Sequence, residues 1–251
     1  MALAAMIPPA VDEPDVSGLV TEDDEPVESI LSEKQARLLT EPLYSSWSGP
    51  PPAEDGERRR FAALANVGLF NSPAEPPLVP DVMLSLDVKI PEDQSQKKNR
   101  SYFLWRYGKP PEVVIEIVSN RRGGELGERR RRYRRMRVDH YVVYDPQKEL
   151  GETTLRAFEL RAGMYAVLER PWFEGPALGL VEWEGTFEGM PGRWLRWCTR
   201  DGQLVPTGAE RAEQEKARAD SAETRADSAE TRACRLAARL RELGVDPDSD
   251  G

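Results

Sequence analysis

Histidine is nearly absent: His140 is the only one. That excludes a histidine-rich metal centre, and a Ser-His-Asp triad would have to use this one ring. Cysteine is almost as scarce. Cys198 and Cys234 cannot build a disulfide framework or a zinc cluster, and this usage fits a reducing, cytoplasmic setting. No run of 18 apolar residues occurs, so no membrane-spanning helix is expected. The opening MALAAMIPPAVDEPD has neither the basic n-region nor the apolar stretch of a secretory signal. Phosphate-binding P-loops and dinucleotide fingerprints are missing as well. Apolar residues make up 39% of the 251 and charged residues 31%. A buried core is therefore expected over only part of the chain.

The net charge of -9 is unevenly spread. Residues 1–30 hold eight acids and no base, leaving a net of -1 for residues 31–251. The body is nearly neutral, so its local charge pattern matters more than its total. Residues 1–29, acidic and rich in proline, are expected to be disordered. A helix is expected near Ser32, with Glu33 to Leu39 as its body. GPPPAEDGERRR (49–60) has the composition of a loop.

A folded region of α/β type is expected over 30–205. LVPDVMLSLDVKI (78–90) alternates from Asp81, with Val82, Leu84, Leu86 and Val88 on one face. Asp81, Met83, Ser85 and Asp87 share the other, which predicts a half-buried strand. PPEVVIEIVSN (110–120) is nearly continuously apolar, as in a central strand covered on both faces. A turn at Gly123-Gly124, a helix carrying Tyr133 and Met136, and a third strand YVVYDP (141–146) follow. Strand, helix and strand in this order favour a parallel pair. The segments TLRAFEL, GMYAVLE, GLVEWEGTFEG and RWLRWC predict antiparallel hairpins. Beyond residue 206 a single helix is expected. Ala212, Ala219, Ala226, Ala233 and Leu240 recur every seven residues, as do Ala222, Ala229, Leu236 and Leu243. Self-association through residues 206–245 is left open by this alanine-rich seam.

Two acids stand out. Glu116 interrupts an apolar strand, where a charge is costly unless paired or bound to a cation. Asp81 opens the preceding strand after Pro80. Carboxylates on adjacent strands can hold a hard divalent ion such as magnesium, which activates water and neutralises phosphodiester charge. The plainer reading pairs Glu116 with an arginine and makes Asp81 a turn cap. Asp87 lies six residues from Asp81, about 20 Å along a strand, too far to share one ion. His140, Cys198 and Cys234 read as structural or inert, and Trp183, Trp194 and Trp197 as packing residues.

Pro80-Asp81, Glu116 within VVIEIVSN, the charged helix ending in Tyr133 and the strand HYVVYDP together resemble the Uma-type restriction-endonuclease family, a branch of the PD-(D/E)XK nuclease fold. LTEPLYSSW (39–47), NVGLF (66–70), GLVEWEGTFEGMPGRWLRW (179–197) and the Thr-Gly-x-Glu entry into the final helix extend the resemblance to roughly 32–245. It implies a restriction-endonuclease-like mixed sheet with flanking helices, here followed by the heptad helix. It also implies a magnesium site, with manganese able to substitute, formed by Asp81, Glu116 and the main-chain carbonyl of Ile117. DNA is the implied substrate. The parent fold has a lysine two residues after the glutamate, where this chain has Val118. In the family the lysine lies four residues before the tyrosine, and here that residue is Arg129. Arginine stays protonated, so Arg129 is expected to stabilise charge, not to accept a proton. Gly127 stands near where the family tends to have an acid.

Residues 121–137 hold nine arginines opposed by Glu125 and Glu128. Arg121, Arg122, Arg130, Arg132 and Arg134 are candidate phosphate contacts. A solvated basic face, or a general arginine bias also visible in ERRR at 57–60, is the alternative. Three functions follow: a metal-dependent endonuclease, a catalytically inactive nuclease-fold protein that binds nucleic acid or acts as a scaffold, and a structural protein whose tail recruits a partner helix.

Overall fold

A computed structural model describes residues 15, 18, 29–119 and 124–242. The expectation for residues 1–29 falls almost wholly outside them. The described chain divides into two compact units between Val205 and Pro206.

The first unit opens with α1 (Ile30–Ser45), which starts three residues before the expected Glu33 body. Ser29 caps it, its Oγ accepting from the Ser32 amide at 3.0 Å. Then come β1 (Phe61–Ala65), β2 (Leu69–Phe70), β3 (Val82–Leu86), β4 (Tyr102–Phe103), the short α2 (Leu104–Tyr107) and β5 (Val113–Ile117). A π-helical turn, Glu125–Arg129, runs into α3 (Arg130–Arg135). The remaining strands are β6 (His140–Tyr144), β7 (Leu155–Arg161), β8 (Met164–Val167), β9 (Trp172–Phe173), β10 (Leu178–Phe187) and β11 (Met190–Cys198).

The main sheet has the order β1-β3-β5-β6-β7-β8. Only β5 and β6 run parallel within it, joined through α3 as the crossover pattern predicts. β9, β10 and β11 make a separate antiparallel sheet, and β2 pairs with β4 in parallel. The class is α/β with a mixed sheet, and the hairpins from residue 154 onward form as expected.

Both faces of the main sheet are covered. On one side Val82, Leu84, Val113, Ile115, Val142 and Tyr144 pack with Leu39 and Leu43 of α1 and with Leu195 and Trp197 of β11. Each fully buried leucine of this kind contributes about 1.5–3 kcal/mol. Polar clamps fix α1 on this face. The Gln35 side chain exchanges two hydrogen bonds with the Leu195 backbone, at 2.8 and 2.9 Å. Trp197 Nε1 donates to the Leu39 carbonyl at 2.7 Å. On the other side Met83, Val114, Tyr141 and Val143 pack with Tyr133, Met136, Leu69, Leu78 and Tyr102.

This second cluster corrects one expectation. β3 is buried at all five positions, not half-buried. The face with Met83 and Ser85 is covered by residues of β2, β4 and α3, and Ser85 bonds the Tyr102 hydroxyl at 2.8 Å. β1 was not foreseen. Its FAALA follows three arginines, and only Ala62 and Ala63 of it are buried. The second unit contains one long helix, α4 (Gly208–Glu242). Its N-terminus is a reciprocal capping box: Glu210 accepts from the Thr207 amide, and Thr207 Oγ1 accepts from the Glu210 amide. No helix among the described residues is long and apolar enough to cross a membrane.

Candidate active site

The acids Asp81 and Glu116 meet at one end of the β3–β5 ladder. The antiparallel register sets Val82 against Ile115 and Met83 against Val114. Continued by one residue, it sets Asp81 against Glu116. Residues opposed across an antiparallel pair share a face. Both acids therefore belong to the face carrying Met83, Val114 and Tyr133. A direct hydrogen bond fixes the aspartate, since the Ile117 amide donates to Asp81 Oδ2 at 2.6 Å. The neighbouring Val118 amide goes the other way, to the Tyr144 carbonyl of β6 at 2.8 Å. In a strand the amide and carbonyl of one residue face the same neighbour, so the Ile117 carbonyl shares the Asp81 side.

Glu116 is 3% exposed, and its charge is met from α3 and the turn before it. Arg129 Nε donates to Oε1 at 3.0 Å, and Nη2 reaches Oε1 and Oε2 at 2.8 and 2.9 Å. The same Nη2 donates to the Val79 carbonyl at 2.7 Å, tying the turn to the residue before Pro80. Nη1 has no hydrogen bond to the described residues. The Tyr133 hydroxyl donates to Oε1 at 2.6 Å.

Burial pushes the Glu116 carboxyl up to about 8, against the pull of Arg129, with the nearby Asp81 charge pushing it further and the Tyr133 hydrogen bond lowering it. For Arg129 burial works against the charge, yet Glu116 and Tyr133 more than offset it and hold the guanidinium above its ordinary range. Tyr133 is buried among these groups and its phenol is pushed well up, first by burial and then by the Glu116 charge. It is a hydrogen-bond donor here, not a proton source.

Among the described residues no three histidines, cysteines or acids gather where a metal could be held. Magnesium asks for less, since one or two carboxylates with waters and substrate oxygens suffice. Asp81, Glu116 and the Ile117 carbonyl are all hard oxygen donors, so the donor set fits such an ion. Arg129 now occupies the Glu116 side of it.

Other candidate residues are spread more widely. Asp87 is at the opposite end of β3, paired with Arg59 at 2.9 and 2.6 Å. His140 begins β6, and its Nδ1 donates to the Glu112 carbonyl at 3.3 Å, with burial pulling its pKa down. Cys198 is buried and Cys234 exposed on α4. Trp194 and Trp197 are buried, while Arg196 lies 4.7 Å over the Trp183 ring.

Several of the arginines named as phosphate contacts serve the fold. Arg130 lies 5.0 Å over the Phe158 ring. Arg132 donates to the Pro76 and Pro77 carbonyls. Arg134 reaches Met164 Sδ at 2.9 Å. Arg121 and Arg122 lie outside the described residues. Among the described residues of this segment, Arg131, Arg135 and Arg137 are the exposed arginines. Arg134, Arg135 and Arg137 also line a hollow of about 510 Å³ with Asp139, Leu160, Gly163 and Met164. Neither Asp81 nor Glu116 belongs to it.

Glu125, which in the sequence stands only as a charge opposing the arginines, is buried in the fold. It lies four residues before Arg129 and is 8% exposed, and its Oε2 is buried without a hydrogen bond to the described residues. The Tyr141 hydroxyl donates to its carbonyl at 3.0 Å. The family resemblance places an acid near Gly127, two residues further on. Helical spacing back from Arg129, one turn away, was the signal that points to Glu125.

Neither a curated protein nor a solved structure matches the chain. The model of one family, Uma2, described as Putative restriction endonuclease, matches residues 23–181. The mixed six-stranded sheet with flanking helices is consistent with a restriction-endonuclease-like fold, whose families generally use divalent metal ions. By this match, across well over half its length, the chain belongs to the Uma2 restriction endonuclease family.

Proposed function

We propose that this chain is a magnesium-dependent endonuclease that hydrolyses DNA phosphodiester bonds, with manganese able to substitute. The observation that carries the reading is the convergence of Asp81 and Glu116 on one sheet face, with the Ile117 amide bonded to Asp81. Asp81, Glu116 and the Ile117 carbonyl would hold the ion. When bound, it would supply positive charge to the phosphate and lower the pKa of a water.

The chain's own residues divide the remaining work. Tyr133 donates to Glu116 and orients its carboxylate. Arg129 has Nε and Nη2 committed to the protein and Nη1 left to meet a phosphate oxygen. Developing charge on the phosphorane would be stabilised there. Val118 offers no proton acceptor, and Arg129 keeps its protons, so the proton of the attacking water leaves to solvent. Arg130, Arg132 and Arg134, with Arg121 and Arg122, are proposed to lie along the DNA backbone, and the exposed Arg131, Arg135 and Arg137 add to that surface.

The second reading is a catalytically inactive protein that binds nucleic acid or acts as a scaffold. It is favoured by the Arg129 fork, which pairs Glu116 with a cation of the chain itself. The two separate in one experiment. Supercoiled plasmid and oligonucleotides are incubated with magnesium, manganese or chelator, beside Glu116→Ala. Metal-dependent cleavage should fall by at least about a hundredfold in the variant. Binding without cleavage, unchanged by Glu116→Ala, overturns the enzyme reading. Arg129→Lys supplies a base that can be tuned toward neutrality and should raise the initial cleavage rate about tenfold or more.

A further inference from the structure

Four charges of helix α4 have no opposite charge at helical spacing in the sequence. ADSAETR stands twice in succession at 219–225 and 226–232. Ion pairs on a helix surface join residues three or four apart, as Arg211 and Glu215 do at 3.1 Å. No acid stands at either spacing from Arg225 or Arg232, and no base from Glu223 or Glu230. Arg225 turns instead to Ser221, its Nε donating to the carbonyl at 3.2 Å and Nη2 to the hydroxyl at 3.1 Å.

A heptad spacing orders the same residues, and it places Arg218 and Arg225 where each can meet a glutamate five residues on. Ala219, Ala226, Ala233 and Leu240 occupy the a positions of a heptad, and Ala222, Ala229 and Leu236 the d positions. Glu223 and Glu230 then fall at e, and Arg218, Arg225 and Arg232 at g. Arg218 precedes Glu223 by five residues, as Arg225 precedes Glu230. Five residues cannot close within one helix, but this is the offset between a g residue and the e residue it meets on a parallel partner. An antiparallel partner would oppose g to g and e to e, setting arginine on arginine and glutamate on glutamate. The seam is open to a partner, with Leu236 59% and Leu240 38% exposed.

We propose that α4 pairs with α4 of a second copy of this chain as a parallel, in-register, two-stranded coiled coil. The leucines supply most of the apolar area, and the alanines let the helices approach closely. The charges choose the orientation. The duplicated heptad alone would tolerate a slip of seven residues. Leu236 and Leu240 forbid it, because a slip sets them against Ala229 and Ala233. The inference does not depend on the nuclease reading.

Sedimentation of the full chain tests it. The wild type should sediment as a dimer. Arg218→Glu with Arg225→Glu, and separately Glu223→Arg with Glu230→Arg, should each weaken association at least about tenfold. An equimolar mixture of the two variants should restore it. Unchanged far-ultraviolet circular dichroism would show that α4 remains helical in both. Ala226→Cys in a Cys234→Ser background should form a 226–226 cross-link on oxidation. A monomeric wild type, a dimer indifferent to the reversals, a mixture that stays dissociated, or a failed cross-link would each overturn the proposal.

Discussion

β3 and β5 carry acids beside a cation at both ends of their shared ladder, and the two ends differ in burial. At one end Asp87 pairs with Arg59, and Glu112 with Lys109. The Glu112 carboxylate also accepts from the Leu86 amide at 2.8 Å, and Lys109 donates to the Leu86 carbonyl at 2.8 Å. Asp87 is 49% exposed there, and the Arg59 hydrogen bonds hold its carboxyl below the usual range. At the other end Glu116 has an equally complete set of partners and is 3% exposed, yet its carboxyl is pushed up to about 8. Similar chemistry thus gives opposite shifts. Burial, not the number of hydrogen bonds, decides whether the charge is comfortable. A buried acid whose charge is this costly, even beside one cation, is one that a second cation can address.

The largest effect that sharpens this contrast is expected from Arg129→Ala. It leaves Glu116 buried beside Asp81 with its cation gone, and removal of one partner of a buried pair costs about 3–5 kcal/mol. Urea denaturation in chelator would measure it. Magnesium should restore part of the loss, so the metal-induced rise in melting temperature should be larger in the variant than in the wild type. A loss below about 1 kcal/mol would place Arg129–Glu116 with the exposed pairs and break the comparison.

A pH series is the next test. The folded-state pKa of Glu116, about 8, lies above its ordinary 4.5. Between these values the folded protein binds more protons at this group than the unfolded chain does. Its contribution to stability is therefore complete below about pH 4.5 and is lost as pH rises through 8. Asp87 works in the reverse sense, because its lowered pKa contributes stability at neutral pH that is lost as pH falls below its ordinary 3.8. In chelator, denaturation midpoints should decline from pH 5 to pH 9, and Glu116→Gln should flatten that decline. A slope unchanged in Glu116→Gln would remove Glu116 as its source.

The sequence made some of this contrast readable. The run VVIEIV announces a strand covered on both faces with one acid inside it, and β5 is such a strand. The alternation from Asp81 correctly grouped Asp81 with Met83 and Ser85, which is why the register brings Asp81 to Glu116. It could not show that this face is covered, because β2, β4 and α3 arrive from distant parts of the chain. Arg129 was reached through its spacing from Tyr133 in a family pattern. Its hydrogen bonds to Glu116 and Val79 depend on a π-helical turn that local composition does not announce. The burial of Glu125 is hidden from the sequence for the same reason. The arginines looked alike in sequence, and only packing separates Arg130 on Phe158 from the exposed Arg131.

The smallest effect is expected at the exposed end, and it is the control on which the comparison turns. Arg59 and Asp87 form a two-pronged contact, but Asp87 is half in solvent and its charge remains hydrated when the partner is lost. Exposed pairs of this kind contribute up to about 1 kcal/mol, less in salt. Asp87→Asn should therefore lower stability by no more than that, with the loss shrinking as salt is raised. It should leave metal-dependent cleavage at the wild-type rate, because Asp87 stands at the far end of β3 from Asp81. If Asp87→Asn instead cost as much as Arg129→Ala in urea denaturation, ion pairing alone would govern both ends. Burial would then no longer distinguish Glu116 from the acids around it.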